Sequence, residues 1–239
     1  MKKSLQLIIL GAMFITSISY AQGTKVKGNG KVVAEKRTTT SYDEISISGF
    51  FDVELISGKE GEISIKGEEN LLPYIKVEVK DNILNISTQK NISINTKEKI
   101  VLTVPFEQIS SVSLSGSGDV STKSPIASTN FKARLSGSGD LTLNVKATNF
   151  EAVLNGSGDA VFSGNSDNFT SKISGSGDVD AVNLVTKKAN ITVSGSGDMK
   201  VNCSESLYAR VSGSGDIEYK GNPQSKDTKV NGSGEISKM

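Results

Sequence analysis

The segment Phe131-Lys132-Ala133-Arg134-Leu135-Ser136-Gly137-Ser138-Gly139-Asp140-Leu141-Thr142-Leu143 alternates apolar and polar residues, breaks on a glycine-rich tetrapeptide and resumes the alternation. Period-two alternation is the mark of a strand with one buried face. The tetrapeptide Gly-Ser-Gly-Asp ends at Asp119, Asp140, Asp159, Asp178, Asp198 and Asp216, and a seventh copy ends at Glu235. The steps between copies are 21, 19, 19, 20, 18 and 19 residues. A fixed period of this size signals a structural unit stacked on copies of itself.

The flanks of each copy obey the same rule. Nine, seven and five positions before the acid stand Phe131, Ala133, Leu135; Phe150, Ala152, Leu154; Phe169, Ser171, Ile173; Ala189, Ile191, Val193; and Leu207, Ala209, Val211. One and three positions after it stand Leu141 and Leu143, Val179 and Ala181, Met199 and Val201, Ile217 and Tyr219. Each unit thus reads as strand, tight turn, strand, looser turn. Neither strand can bury its apolar face alone, so the units must stack, and their identical order makes equivalent strands parallel. The expected fold is all-β: a parallel β-helix or β-solenoid, right-handed, with rungs of about 20 residues. Seven rungs would make a rod of roughly 30–35 Å at about 4.8 Å per rung. The alternative is an antiparallel sandwich with the tetrapeptide as a hairpin turn. Hairpins have no need of seven alike turns, whereas stacked turns share one environment.

The turn composition fits stacking. In the tetrapeptide the second glycines are Gly118, Gly139, Gly158, Gly177, Gly197, Gly215 and Gly234, and glycine allows close approach to a neighbouring rung. The acids can accept backbone N–H bonds that fix the corner. Stacked carboxylates about 5 Å apart repel by roughly 1 kcal/mol at the dielectric of water, so donors or a cation must offset them. The preferred reading of Asp119, Asp140, Asp159, Asp178, Asp198, Asp216 and Glu235 is a structural turn ladder. The other is a row of Ca²⁺ sites, although the known Ca²⁺-binding β-roll has a nine-residue unit. No further cofactor is expected.

Residues 1–21 read as a secretory leader: Lys2 and Lys3, an apolar run from Leu5 to Ile18, and Ser19-Tyr20-Ala21 before the cut. Residues 22–42 form a lead that is either flexible or an initial strand. Residues 43–110 form an irregular β region, with candidate strands at Ile45 and Ile47, Phe51 to Leu55, Ile63 and Ile65, Ile75 to Val79, Ile83 to Ile86 and Ile100 to Val104. Only Glu68 to Tyr74, interrupted by Pro73, looks non-strand. Residues 111–236 carry the regular repeats, and the last copy is degraded, with Lys226, Thr228 and Val230 in place of the apolar triplet. After leader removal no transmembrane segment is expected.

Composition narrows the function. With 27 basic and 26 acidic residues the net charge is +1, and no basic block or aromatic set suits nucleic acid. Histidine is absent and Cys203 is the sole cysteine, which excludes Ser-His-Asp and Cys-His catalysis, His-ligated metals and an intramolecular disulfide. Cys203 shares its register with Val145, as a buried thiol would. Carboxylate chemistry survives, and the outward Lys132, Arg134, Lys172 and Arg210 could line a sugar-binding face.

The repeated apolar-Ser/Asn-Gly-Ser-Gly-Asp-apolar unit resembles the auto-transporter adhesin head GIN domain, a family of exported proteins. The stretches Phe51-Asp52-Val53-Glu54-Leu55, Glu69-Asn70-Leu71-Leu72 and Asn82-Ile83-Leu84-Asn85-Ile86 resemble its N-terminal half. The likeness runs over roughly 43–220. It implies a β-helix-like fold and an adhesin label, and brings no catalytic or binding residues with it.

The function expected is therefore a non-enzymatic exported β-solenoid, an adhesin-like binding or scaffold module at the cell envelope. Its setting would be the periplasm, the outer-membrane surface or the exterior, and its partners glycans or surface proteins, with oligomers allowed. The rivals are a carbohydrate-active lyase or hydrolase on a β-helix and a purely structural envelope protein.

Overall fold

The computed structural model describes residues 24–239; the leader expected over 1–21 lies outside the described residues. The first half forms β1 (Thr24–Lys27), β2 (Val32–Thr38), β3 (Glu44–Gly49), β4 (Asp52–Ser57) and β5 (Glu62–Glu68), one 3-10 turn at Leu72–Tyr74, then β6 (Ile75–Lys80), β7 (Ile83–Thr88), β8 (Ile92–Asn95) and β9 (Val101–Phe106). The second half forms β10 (Ser111–Gly116), β11 (Val120–Thr122), β12 (Ile126–Gly137), β13 (Leu141–Gly156), β14 (Ala160–Gly175), β15 (Val179–Gly195), β16 (Met199–Gly213), β17 (Ile217–Lys220), β18 (Ser225–Gly232) and β19 (Ile236–Lys238).

Equivalent strands of successive units pair parallel. Leu135 lies beside Leu154, Leu154 beside Ile173, Ile173 beside Val193 and Val193 beside Val211. The chain is a β-solenoid, and the antiparallel-sandwich alternative falls with this register. Burial follows the sequence alternation, and one continuous hydrophobic cluster runs from Tyr42 to Tyr219. At its centre Phe150 stacks between Phe131 and Phe169, with centroids 5.6 and 5.1 Å away, and meets Phe162 edge-on at 5.0 Å. Burying one such ring contributes about 1.5–3 kcal/mol, so the phenylalanine column ties three rungs together. Cys203 is a free, fully buried thiol near the carbonyl oxygens of Lys187 and Ser206.

Two features depart from the sequence reading, and a third concerns residues it left open. Along β13 to β16 the looser turn between units is absent: β13 runs unbroken for 16 residues, whereas a break survives at 123–125 before β12 and at 221–224 before β18. The alternation slips by one at Thr148-Asn149, both exposed, and Phe150 then points inward. Neighbouring rungs hold both arms, so the chain rounds this second corner without leaving the sheet.

Second, the rungs of the first half are neither all parallel nor stacked in chain order. β3 lies between β7 and β10, and β4 between β9 and β11, all parallel. Beyond them β6 runs antiparallel on β7, β5 antiparallel on β9, and β2 antiparallel on β5. The chain lays down β3 and β4, leaves to build the antiparallel strands, and returns outside its own first rung. Reversing direction there lets short links such as Asp81-Asn82, both with positive φ, replace long crossovers.

Third, residues 24–38, left open between lead and strand, form β1 and β2, and β1 pairs parallel with β8. No helix among the described residues is long and apolar enough to cross a membrane.

Candidate functional site

Two outward-facing columns carry the polar chemistry, one at each corner. At the tetrapeptide corner the N–H groups of Ser138 and Gly139 both donate to the Gly116 carbonyl, at 2.9 and 3.1 Å, and the pattern repeats up to Ser233 and Gly234 on Gly213. The second glycine is compulsory by position. A Cβ at Gly139 would overlap the Gly118 carbonyl oxygen and come within 3.0 Å of its backbone nitrogen. Five of the acids then reach across to the next rung: Oδ1 of Asp140 accepts the N–H of Asp159, and Asp159, Asp178, Asp198 and Asp216 do the same for Asp178, Asp198, Asp216 and Glu235.

The column has an eighth member. Gly49 pairs with Gly116, and Ser117 donates to the Gly49 carbonyl at 2.9 Å, so Gly49-Phe50-Phe51-Asp52 occupies the same corner. There Lys99 Nζ sits 2.7 Å from Asp52 and 3.9 Å from Asp119. The bond to Asp52, with its charge, raises the Lys99 pKa above its ordinary value. A lysine thus supplies the offsetting cation at that end, and backbone N–H groups supply the offset elsewhere. Among the described residues, no three His, Cys, Asp or Glu side chains group closely enough to hold a metal ion; the ladder carboxylates stand in a line, one per rung.

The second corner carries an asparagine column. Asn149 donates to Oδ1 of Asn130 at 2.7 Å, and Asn168 donates to Oδ1 of Asn149 at 2.8 Å. Each precedes an inward phenylalanine, and the Asn-Phe pair recurs at steps of 19 residues. That recurrence is the sequence signal that would have found the column. Beside it opens a groove of about 570 Å³, with Glu44, Lys132, Arg134, Glu151 and Thr170 along its sides. It forms because β10 begins only at Ser111 while its neighbour β12 reaches back to Ile126, which leaves a step beside the column. Lys132 bridges to Glu151 on the next rung at 2.9 Å. The rings of Phe131 and Phe150 underlie the groove and are 2% and 1% exposed.

Of the four outward bases singled out from the sequence, Lys132 and Arg134 meet in this groove. Lys172 and Arg210 continue the Arg134 column along the same face, two and four rungs on. Arg210 is engaged elsewhere: it pairs with Asp227 at 2.8 Å and lies 3.9 Å over the Tyr208 ring. The Asp227 bond raises its pKa.

Residues 41–223 match the sequence profile of the family described as "Putative auto-transporter adhesin, head GIN domain". Among solved structures, a "putative adhesin" from Bacteroides fragilis superposes with a TM-score of 0.86 at 24% identity, covering 90% of this chain and 100% of its own. A "putative lipid binding protein" from Parabacteroides distasonis gives 0.76 at 24% identity with the same coverage. A "putative adhesin" from Parabacteroides merdae gives 0.72 at 23%, covering 90% of this chain and 99% of its own. At these identities the likeness is one of fold. No curated protein sequence matches the chain at a significant level. The profile spans most of the described residues and takes in both the irregular first half and the repeats, so the chain belongs to the auto-transporter adhesin head GIN domain family.

Proposed function

We propose that this protein is an exported, non-catalytic, adhesin-like module that presents one flank of a rigid solenoid to extended partners at the cell envelope, glycans or surface proteins. The observation that carries the reading is the flank itself. Outward side chains are locked to the rung pitch in straight columns, with a polar groove at the Asn130–Asn149–Asn168 corner. Such a surface suits an extended ligand because each rung repeats the spacing of the last. The family description and the adhesin names of the Bacteroides fragilis and Parabacteroides merdae neighbours support it. The leader read over residues 1–21 supports export.

A hydrolase or lyase would need acid and base groups converging on one bond. In the groove Glu151 is instead engaged by Lys132 at 2.9 Å, an arrangement that serves binding better than proton transfer. The test follows the full chain, expressed with its own N-terminus, through cell fractionation, and measures its adhesion to envelope polysaccharide and whole cells beside an assay for released sugar. Recovery outside the cytoplasm with saturable adhesion and no sugar release is expected. Cytoplasmic retention, or turnover of any polysaccharide, overturns the proposal.

A further inference from the structure

We infer that the groove at the second corner is a subsite for an uncharged, hydroxyl-rich chain: a neutral oligosaccharide lying along the stacking axis. This rests on reading the protein as a non-catalytic binding module, and it specifies the ligand chemistry. Charge is the first observation. Lys132 is held by Glu151 at 2.9 Å, and Glu44 balances Arg134 in formal charge along the walls. The lining therefore carries no net charge and offers an anion no focused field.

The second observation is the donor and acceptor supply. A side-chain amide has two N–H donors and two acceptor lone pairs. Asn149 gives one N–H to Asn130 and accepts one from Asn168, so one of each remains for a ligand. The same paired donor and acceptor recurs at the rung spacing of about 4.8 Å. Hydroxyl groups, which both donate and accept, are the matching chemistry, and a sugar chain repeats them along its length.

The third observation concerns what the groove lacks. Its aromatic floor is sealed, with Phe131 and Phe150 only 2% and 1% exposed. An acyl chain needs apolar side chains around it to leave water, and apart from the two sealed rings every residue lining this groove is polar or charged. The chemistry thus favours a glycan over the lipid that one structural neighbour's name mentions.

The experiment titrates short neutral oligosaccharides against the full chain by calorimetry, beside uronic-acid oligosaccharides and phospholipid vesicles. Asn149→Ala removes the middle of the ladder, and Asn155→Ala serves as a control on the same flank outside the groove. Neutral sugars are expected to bind weakly and independently of salt. Asn149→Ala is expected to lose about tenfold in affinity, or about 1.4 kcal/mol, and Asn155→Ala none. Should Asn149→Ala lower the melting midpoint, Asn130→Ala, which spares the Asn149–Asn168 bond, replaces it. Salt-dependent binding of the uronic acids alone would assign recognition to Lys132 and Arg134 and overturn the inference. Vesicle binding lost in Asn149→Ala, or neutral-sugar binding indifferent to Asn149, would overturn it as well. If no glycan binds while whole-cell adhesion persists, the subsite fails and the binding-module reading stands; if both fail, both fall.

Discussion

Oδ1 of Asp159 accepts the main-chain N–H of Asp178, one rung away, at 2.8 Å. The column of acids is thus a chain of side-chain-to-backbone bonds running along the rod. Two effects compete in it. Neighbouring carboxylates repel by roughly 1 kcal/mol in a water-like dielectric, while a hydrogen bond to a charged group contributes about 1.5–3 kcal/mol net. The bond wins, and what the corner needs is the acceptor oxygen rather than the charge.

Substitutions at Asp159 separate the two effects. Asp159→Asn keeps an oxygen facing the Asp178 N–H and removes repulsion toward Asp140 and Asp178, so its unfolding midpoint is expected to equal or exceed that of the parent. Asp159→Ala removes the acceptor and is expected to cost about 1 kcal/mol. Urea unfolding of both variants checks this; an asparagine variant as unstable as the alanine one would mean that charge, not acceptance, is what matters. Added salt should raise the parent's midpoint and leave Asp159→Asn less affected, because screening weakens exposed like-charge pairs.

Glycines divide by what lies across from them. Gly139→Ala drives a methyl into the Gly118 backbone, which cannot yield without moving the rung. A loss on the order of 4 kcal/mol, or failure to fold, is expected. Gly58 is the contrast: a Cβ there meets only the Pro105 side chain, at 3.7 Å. Gly58→Ala should be neutral or stabilising by up to about 1 kcal/mol through the unfolded chain. Comparable losses in the two variants would contradict this account.

The stacked half was legible because one environment is repeated: Leu135, Leu154 and Ile173 face the same core, and the Gly-Ser-Gly-Asp copies share one corner, so periodicity alone exposes the register. Periodicity is blind to a member whose residues have changed. At Gly49-Phe50-Phe51-Asp52 only the first and last residues keep the pattern, since this rung faces the differently built β7 and β9 on its other side. Nor could pattern show that β3 lies between strands that follow it in the chain; that order depends on long-range pairing. The asparagine column was written in the sequence but masked by the apolar triplets beside it, and the groove depends on where β10 begins, which no periodicity marks.

Glu68 shows how far a buried charge can hide from sequence reading. It stands in the stretch taken as non-strand, yet it closes β5 and is fully buried. Its carboxylate accepts the N–H of Lys97 at 2.8 Å, the Thr96 hydroxyl at 2.8 Å and the N–H of Gly30 at 2.5 Å. These bonds, that of Lys97 foremost, hold its pKa below the ordinary 4.5 against the opposing effect of burial. A depressed native pKa means that the unfolded chain binds more protons in acid, so stability rises with pH. The contribution is complete above about pH 4.5 and is lost as pH falls through the native value. Glu68→Gln should lower the neutral-pH midpoint, because its amide NH₂ faces donors, and flatten the acid limb of the midpoint-against-pH curve. Parent and variant curves that stay parallel down to acid pH would sink this assignment.

Ser171 breaks the core pattern. It occupies an inward position whose register neighbours are Ala152 and Ile191, it is fully buried, and its hydroxyl has no hydrogen-bond partner. An unpaired buried hydroxyl costs about 1–3 kcal/mol by mutational measure. Removing it leaves a methyl that Ala133 and Ala152 already show the column accommodates. Ser171→Ala is therefore expected to stabilise the fold by about 1 kcal/mol, read as a higher urea midpoint at unchanged slope. Ser171→Val adds volume beside Ile191 and tests packing separately: a gain with valine but none with alanine would mean that the site was underfilled rather than unsatisfied. A loss of stability in Ser171→Ala would mean that the hydroxyl does find a partner, and the account of this position as a polar defect in an apolar column would be wrong.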